Sequence, residues 1–109
     1  MSDYQFDWQS NDFMGEDVPI AELTAKHGTP LNVISQTQLV NDLPRFQNSF
    51  GENWNGAVRI LPAIKGNTVE ALCKVLAKHT DGCDLFSERE MAAALGSGFE
   101  AVKISLNGN

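Results

Sequence analysis

From residue 57 onward the chain alternates between two hydrophobic periods, and that alternation limits its fold more than anything else in the sequence. Ala57 to Ile64 reads Ala-Val-Arg-Ile-Leu-Pro-Ala-Ile, an almost continuous apolar run of strand length. Such a run suits a strand covered on both faces. Thr68 can then cap a helix in which Val69, Leu72, Cys73 and Leu76 recur at i, i+3, i+4 and i+7. Asp81-Gly82 turns the chain into Cys83-Asp84-Leu85-Phe86, a second short strand. Ser87 with Glu90 three residues on forms a capping box, which opens a helix that Gly96 and Gly98 end. Ala101 to Leu106 supplies a third strand. Strand, helix, strand, helix, strand with short loops predicts α/β structure with parallel strands and right-handed crossovers.

The first half is less regular. Tyr4, Phe6 and Trp8 alternate with polar residues, which fits either a one-sided strand or an aromatic tail. Pro19 begins a helix that Lys26, His27 and Gly28 end. Leu31-Asn32-Val33-Ile34 reads as a short strand. Ser35 or Thr37 can cap a further helix carrying Leu39, Leu43 and Phe46, with a kink or an early break at Pro44. Gly51 to Gly56 is loop chemistry.

Composition excludes several classes of function. Fourteen acidic residues against eight basic ones give a formal charge of -6, so a nucleic-acid or anionic-membrane partner would be repelled. No apolar stretch approaches the ~20 residues of a spanning helix, and the first residues lack the basic and apolar regions of a secretory signal. Cys73 and Cys83 make neither a metal spacing nor a disulfide framework; the expectation is reduced core thiols and a cytoplasmic location. No metal site is expected.

Lys65 is the first candidate for chemistry. It follows the apolar run directly, in Ala63-Ile64-Lys65-Gly66-Asn67, at the strand end where parallel α/β folds place their sites. An amine drawn partly out of water is available to attack a carbonyl and form a Schiff base. By itself, a strand-end lysine more often lays its stem on apolar surface and its head in solvent.

Four motifs in order change that balance. His27-Gly28-Thr29-Pro30-Leu31, Ala63-Ile64-Lys65-Gly66-Asn67, Gly82-Cys83-Asp84-Leu85-Phe86-Ser87 with Glu90, and Ser105-Leu106-Asn107-Gly108-Asn109 run from about Val18 to the chain end. Together they resemble the alanine-racemase-like, fold type III pyridoxal-phosphate enzymes, specifically the ornithine, diaminopimelate and arginine decarboxylase family. The resemblance implies that Lys65 holds pyridoxal 5'-phosphate as a Schiff base. It implies that Asp84 and Glu90 join Lys65 as catalytic residues, and that Ala63, Asp84 and Asn107 lie against the cofactor. Glu90 has its capping box, and Asp84 and Asn107 have turn and strand-end roles, as alternative explanations.

The implied fold is the N-terminal part of a (β/α)8 barrel, incomplete here because a whole barrel takes about 250 residues. The implied organisation is a tail at 1–17, a helix and strand at 18–36 that pair with a missing C-terminal β-domain, and the first βα units at 37–109. The implied function is that of an amino-acid decarboxylase, a carbon-carbon lyase, with an amino-acid substrate, a homodimeric full-length form and no activity in this piece alone. A racemase of the same fold and a non-catalytic regulatory relative are the alternatives. Pro62 and Leu106 depart from the aromatic residue and the histidine common at these places in the family, which leaves the substrate open. Pro62 also predicts an irregular strand just before Lys65. His27 and His79 are read as helix-end residues, and Trp54 as a packing residue with an interface anchor as the alternative; Gly66-Asn67-Thr68 is a helix start that could receive an anion, though helix starts without ligands are far commoner.

Overall fold

The computed structural model describes residues 5–108, so the readings attached to Tyr4 and Asn109 lie outside the described residues. The chain divides into two compact units, residues 1–41 and 42–109.

The first unit is an antiparallel sheet followed by helices. Strands β1 (Phe6–Gln9), β2 (Asp12–Gly15) and β3 (Val18–Pro19) pair in that order. Of the two readings for this stretch, the strand is the one adopted. Its partner β2 carries no alternation and was invisible in the sequence. Trp8 pairs directly with Phe13 across the hairpin, and their rings lie 5.4 Å apart. Gly15 opposes Phe6, and a Cβ there would meet the Phe6 ring at 2.8 Å, so glycine lets the ring sit where it does without shifting. Helix α1 (Ile20–His27) follows with Pro19 as N-cap, basic Lys26 and His27 in its last turn, and Gly28 as C-cap.

The expected strand at Leu31 to Ile34 is absent: these residues form no regular structure and are exposed. A strand needs a pairing partner, and among the described residues none pairs with 31–34; the resemblance places that partner in a C-terminal β-domain. Helix α2 (Gln36–Gly51) begins in this unit and ends in the second. Ser35 rather than Thr37 is its cap, accepting the Gln38 N–H at 2.9 Å and donating to Glu16 Oε1 at 2.6 Å. The helix does not break at Pro44. Sixteen residues are enough to carry one missing hydrogen bond, which costs ~3 kcal/mol at most interior positions.

The second unit has the predicted α/β alternation around a small core. Helix α3 (Glu70–His79), strand β4 (Cys83–Leu85), helix α4 (Glu88–Gly96) and strand β5 (Ile104–Leu106) follow in order, and β4 pairs with β5 in parallel. Ile64, Cys73, Cys83, Leu85 and Ala94 are buried to within about 1% exposure, with Leu76 and Phe99 close behind. β5 is shorter than expected, because Ala101–Lys103 forms a 3-10 turn that leads into it. Gly82 lets the two strands approach: a Cβ there would stand 1.9 Å from the Lys103 carbonyl oxygen.

The apolar run at 57–64 is not a regular strand and is not buried on both faces. It touches β4 through the Ala63–Asp84 bridge, the Asp84 N–H to Pro62 carbonyl bond of 3.0 Å and the Asp81 N–H to Ile60 carbonyl bond of 3.2 Å. Pro62 cannot donate, and Ile64–Gly66 closes into a 3-10 turn. Leu61 remains 36% exposed. The Asp81 carboxylate takes the Ile60 N–H at 2.8 Å, which keeps the run alongside β4.

Thr68 does not cap α3. Asn67 Oδ1 accepts the Val69 N–H at 3.0 Å instead, because the 3-10 turn already aims Asn67 at the helix start. That occupies one of the donors an anion at this helix start would use, in line with the reading of a helix start without a ligand. Trp54 is 65% exposed rather than packed.

Candidate functional site

Three chain segments end on one side of the second unit. The run at 57–63 is parallel to β4, and β4 is parallel to β5, so their C-terminal ends lie together. Ala63 pairs with Asp84, and Asp84 with Ser105. This row carries two of the candidate residues, Ala63 and Asp84.

Asn107 joins them from just beyond β5. Its side-chain amide donates to Asp84 Oδ1, and its N–H donates to the Leu85 carbonyl at 2.9 Å. Asp84 is half-buried and Asn107 exposed, so the pair forms a polar rim at the strand ends.

Lys65 leaves the row on the 3-10 turn and is exposed. Its Nζ lies 4.2 Å from the centroid of the Phe86 ring. Among the described residues it forms no ion pair with Asp84 or Glu90. Glu90 serves the start of α4: its N–H donates to Ser87 Oγ at 3.3 Å, and its carboxylate accepts the Phe86 N–H at 2.7 Å. The capping box therefore reaches one residue further back than its usual form.

Sequence reasoning missed Phe86. The signal was there, since Phe86 follows Asp84 by two residues just as Lys65 follows Ala63, and parallel pairing puts such residues side by side.

The nucleophile the site offers is an amine. Both thiols are fully buried, and burial pushes the Cys73 and Cys83 thiols up; for Cys83 the neighbouring Cys73 and Asp84 add to the effect. Neither is poised as a thiolate. The Cys73 thiol instead contacts the Asn67 carbonyl at 3.7 Å. His27 and His79 are exposed last residues of α1 and α3. An apolar groove of about 470 Å³ lies elsewhere in the second unit, between Leu43, Phe46 and Phe50 of α2 and Val58 to Pro62. Among the described residues no helix is long and apolar enough to cross a membrane.

Comparison with known proteins agrees with the motifs. No family model matches the chain. It is 32% identical over 94 residues to the diaminopimelate decarboxylase of Archaeoglobus fulgidus, a match covering 86% of this chain and 21% of that protein. The Haemophilus influenzae diaminopimelate decarboxylase is 30% identical over 103 residues, covering 94% of this chain and 24% of its own. The crystal structure of the M. jannaschii diaminopimelate decarboxylase with L-lysine matches 96% of this chain and 25% of that one, with a TM-score of 0.81 at 28% identity. The chain spans about a fifth to a quarter of the length of these relatives. It is thus similar, in sequence and in mixed α/β fold, to the diaminopimelate decarboxylases of the family that its motifs resemble.

Proposed function

We propose that this chain is the lysine-bearing, N-terminal barrel segment of a pyridoxal-phosphate-dependent amino-acid decarboxylase of the diaminopimelate type, and that Lys65 holds the cofactor. The observation that carries this reading is Lys65 itself: an exposed amine at the joined C-terminal ends of parallel segments, in a chain similar to diaminopimelate decarboxylases. Parallel α/β folds bind ligands at such ends.

The residues present fit the cofactor's needs. A Cβ built on Gly66 meets nothing within 4 Å, so the backbone next to Lys65 is open rather than packed. When bound, the cofactor supplies an electron sink for the carbanion left by departing carbon dioxide. Lys65 supplies the attachment point. Asp84 places a carboxylate beside Ala63, and its bond to Asn107 orients that carboxylate along the rim. Ala63 is small and exposed, which leaves the approach to the lysine unobstructed. Glu90 acts on the backbone of Phe86 and so holds the β4–α4 junction in shape. Groups to grip a phosphate or protonate a pyridine nitrogen belong, in this reading, to the rest of the enzyme, and this chain alone has no decarboxylase activity.

Incubation with pyridoxal 5'-phosphate, borohydride reduction and peptide mapping test the assignment. The pyridoxyl group is expected on Lys65, and Lys65→Ala is expected to remove it. A label on another lysine at equal or greater yield overturns it. Carbon dioxide release from diaminopimelate above the free-cofactor background would overturn the claim of inactivity.

A further inference from the structure

The register that aligns the strand ends makes one contact beyond the expected set. Ala63 bridges Asp84 in parallel, and two residues further on Lys65 and Phe86 meet, Nζ to ring centroid 4.2 Å. We infer that Phe86 is a positioning residue for Lys65: its ring face holds the ammonium at the strand ends and presents the nitrogen to an incoming aldehyde. This rests on the reading of Lys65 as the cofactor lysine.

The ring is a fixed platform rather than a loose surface side chain. The Phe86 N–H is held by Glu90 Oε2 at 2.7 Å. The preceding residue, Leu85, is fully buried, and its carbonyl accepts the Asn107 N–H at 2.9 Å. The Leu85–Phe86 peptide is thus held through both its carbonyl and its N–H, and two side-chain torsions remain to the ring. Half of the side chain is exposed, yet the face it offers is occupied by the lysine.

A cation over an aromatic face is attracted by the ring quadrupole. The ammonium first gives one proton to solvent; the freed amine adds to the aldehyde carbon, and loss of water with return of that proton leaves a protonated imine, so the nitrogen is cationic before and after the step and neutral when it attacks. The attraction acts on the ammonium before the step and on the protonated imine after it, and the ring's effect is on where the nitrogen is held. A lysine stem is flexible, so restricting it in advance lowers the entropic cost of the reaction. At an exposed site the attraction corresponds to a ~2–5-fold effect.

The test uses the whole chain and two measurements. In the proton NMR spectrum, the Lys65 Cε protons are expected upfield from ring current, with the shift lost in Phe86→Leu and kept in Phe86→Tyr. In borohydride trapping with pyridoxal 5'-phosphate, the Lys65 label relative to Lys78 on α3 is expected to fall ~2–5-fold in Phe86→Leu and to recover in Phe86→Tyr. Lys78 serves as an internal reference for folding. A missing upfield shift overturns the inference while leaving Lys65 as the cofactor lysine if the label is still there. A shift that is present with unchanged labelling in Phe86→Leu also overturns it. Wild-type label on another lysine overturns the function and this inference together, and is told apart by the intact NMR shift.

Discussion

The two units of the chain hold themselves together by different means. In residues 42–109, seven apolar side chains from the 3-10 turn, α3, β4, α4 and the loop after it are buried in one core. In residues 5–41, no large apolar side chain is buried: Trp8 is 68% exposed and Ile34 54%. That unit relies on hydrogen bonds instead. Ser35 ties Glu16 to the start of α2, the Gln5 N–H donates to Gln38 Oε1 at 2.9 Å, and the Glu16 N–H donates to the Gln5 carbonyl at 2.6 Å. Exchanging water for protein partners gains only ~1 kcal/mol per bond, whereas burying a whole apolar side chain gains ~1.5–3 kcal/mol. The lesson is that the candidate site rides on the part of the chain with a core, and the unit without one should be the first to respond to mild conditions.

The strongest way to break this contrast is to cut into each unit equally. Leu85→Ala, at a fully buried position of β4, is expected to cost ~2–5 kcal/mol in urea unfolding. The same truncation at half-exposed Ile34 is expected to cost well under half as much, since the lost methyls already face water. Equal losses would show that the first unit has an apolar core of its own.

A smaller effect sharpens the roles at the β4–α4 junction. Ser87→Ala removes the acceptor for the Glu90 N–H and should cost ~1 kcal/mol. Glu90→Gln keeps an oxygen for the Phe86 N–H, so its melting curve should nearly overlay the wild type. A Glu90→Gln loss as large as that of Ser87→Ala would mean that the charge, not the hydrogen bond, holds the junction.

The gentlest probe is acid. Hydrogen bonds from Ser35, and then Thr37, hold the Glu16 carboxyl below its ordinary value near 4.5. A carboxyl lowered in the folded state stabilises it at pH above the unfolded value, and that contribution fades as pH falls through the folded one. Acidification below about 4.5 is therefore expected to loosen the first unit before the second. Trp8 fluorescence in a Trp54→Phe background reports the first unit, and Trp54 fluorescence in a Trp8→Phe background the second. Glu16→Gln should flatten the early Trp8 change; an unaltered acid step in that variant would assign it to other carboxyls.

Much of the second unit was legible because its signals are local. The apolar spacing of Leu72, Cys73 and Leu76, the Ser87 cap and the terminal glycines of α4 each act within one or two turns of chain, and α3 and α4 formed where they predict. Pro62 announced the irregular run before Lys65 for the same reason, since a missing N–H is a property of one residue. The first unit was less legible. β2 has no alternation to betray it and exists because β1 pairs with it, while 31–34 has the composition of a strand and no partner among the described residues.

The candidate site divides along the same line. The order of Ala63, Lys65, Asp84, Glu90 and Asn107 along the chain, and the family resemblance built on it, are written in the sequence alone. Which of them touch was decided by pairing between residues about twenty positions apart: Ala63 against Asp84, Asp84 against Asn107, and Lys65 against Phe86 rather than against either acid. A one-residue slip in a parallel pair would turn every one of these side chains to the opposite face. Local chemistry sets what each residue can do, and only the register of the folded strands sets which of them do it together.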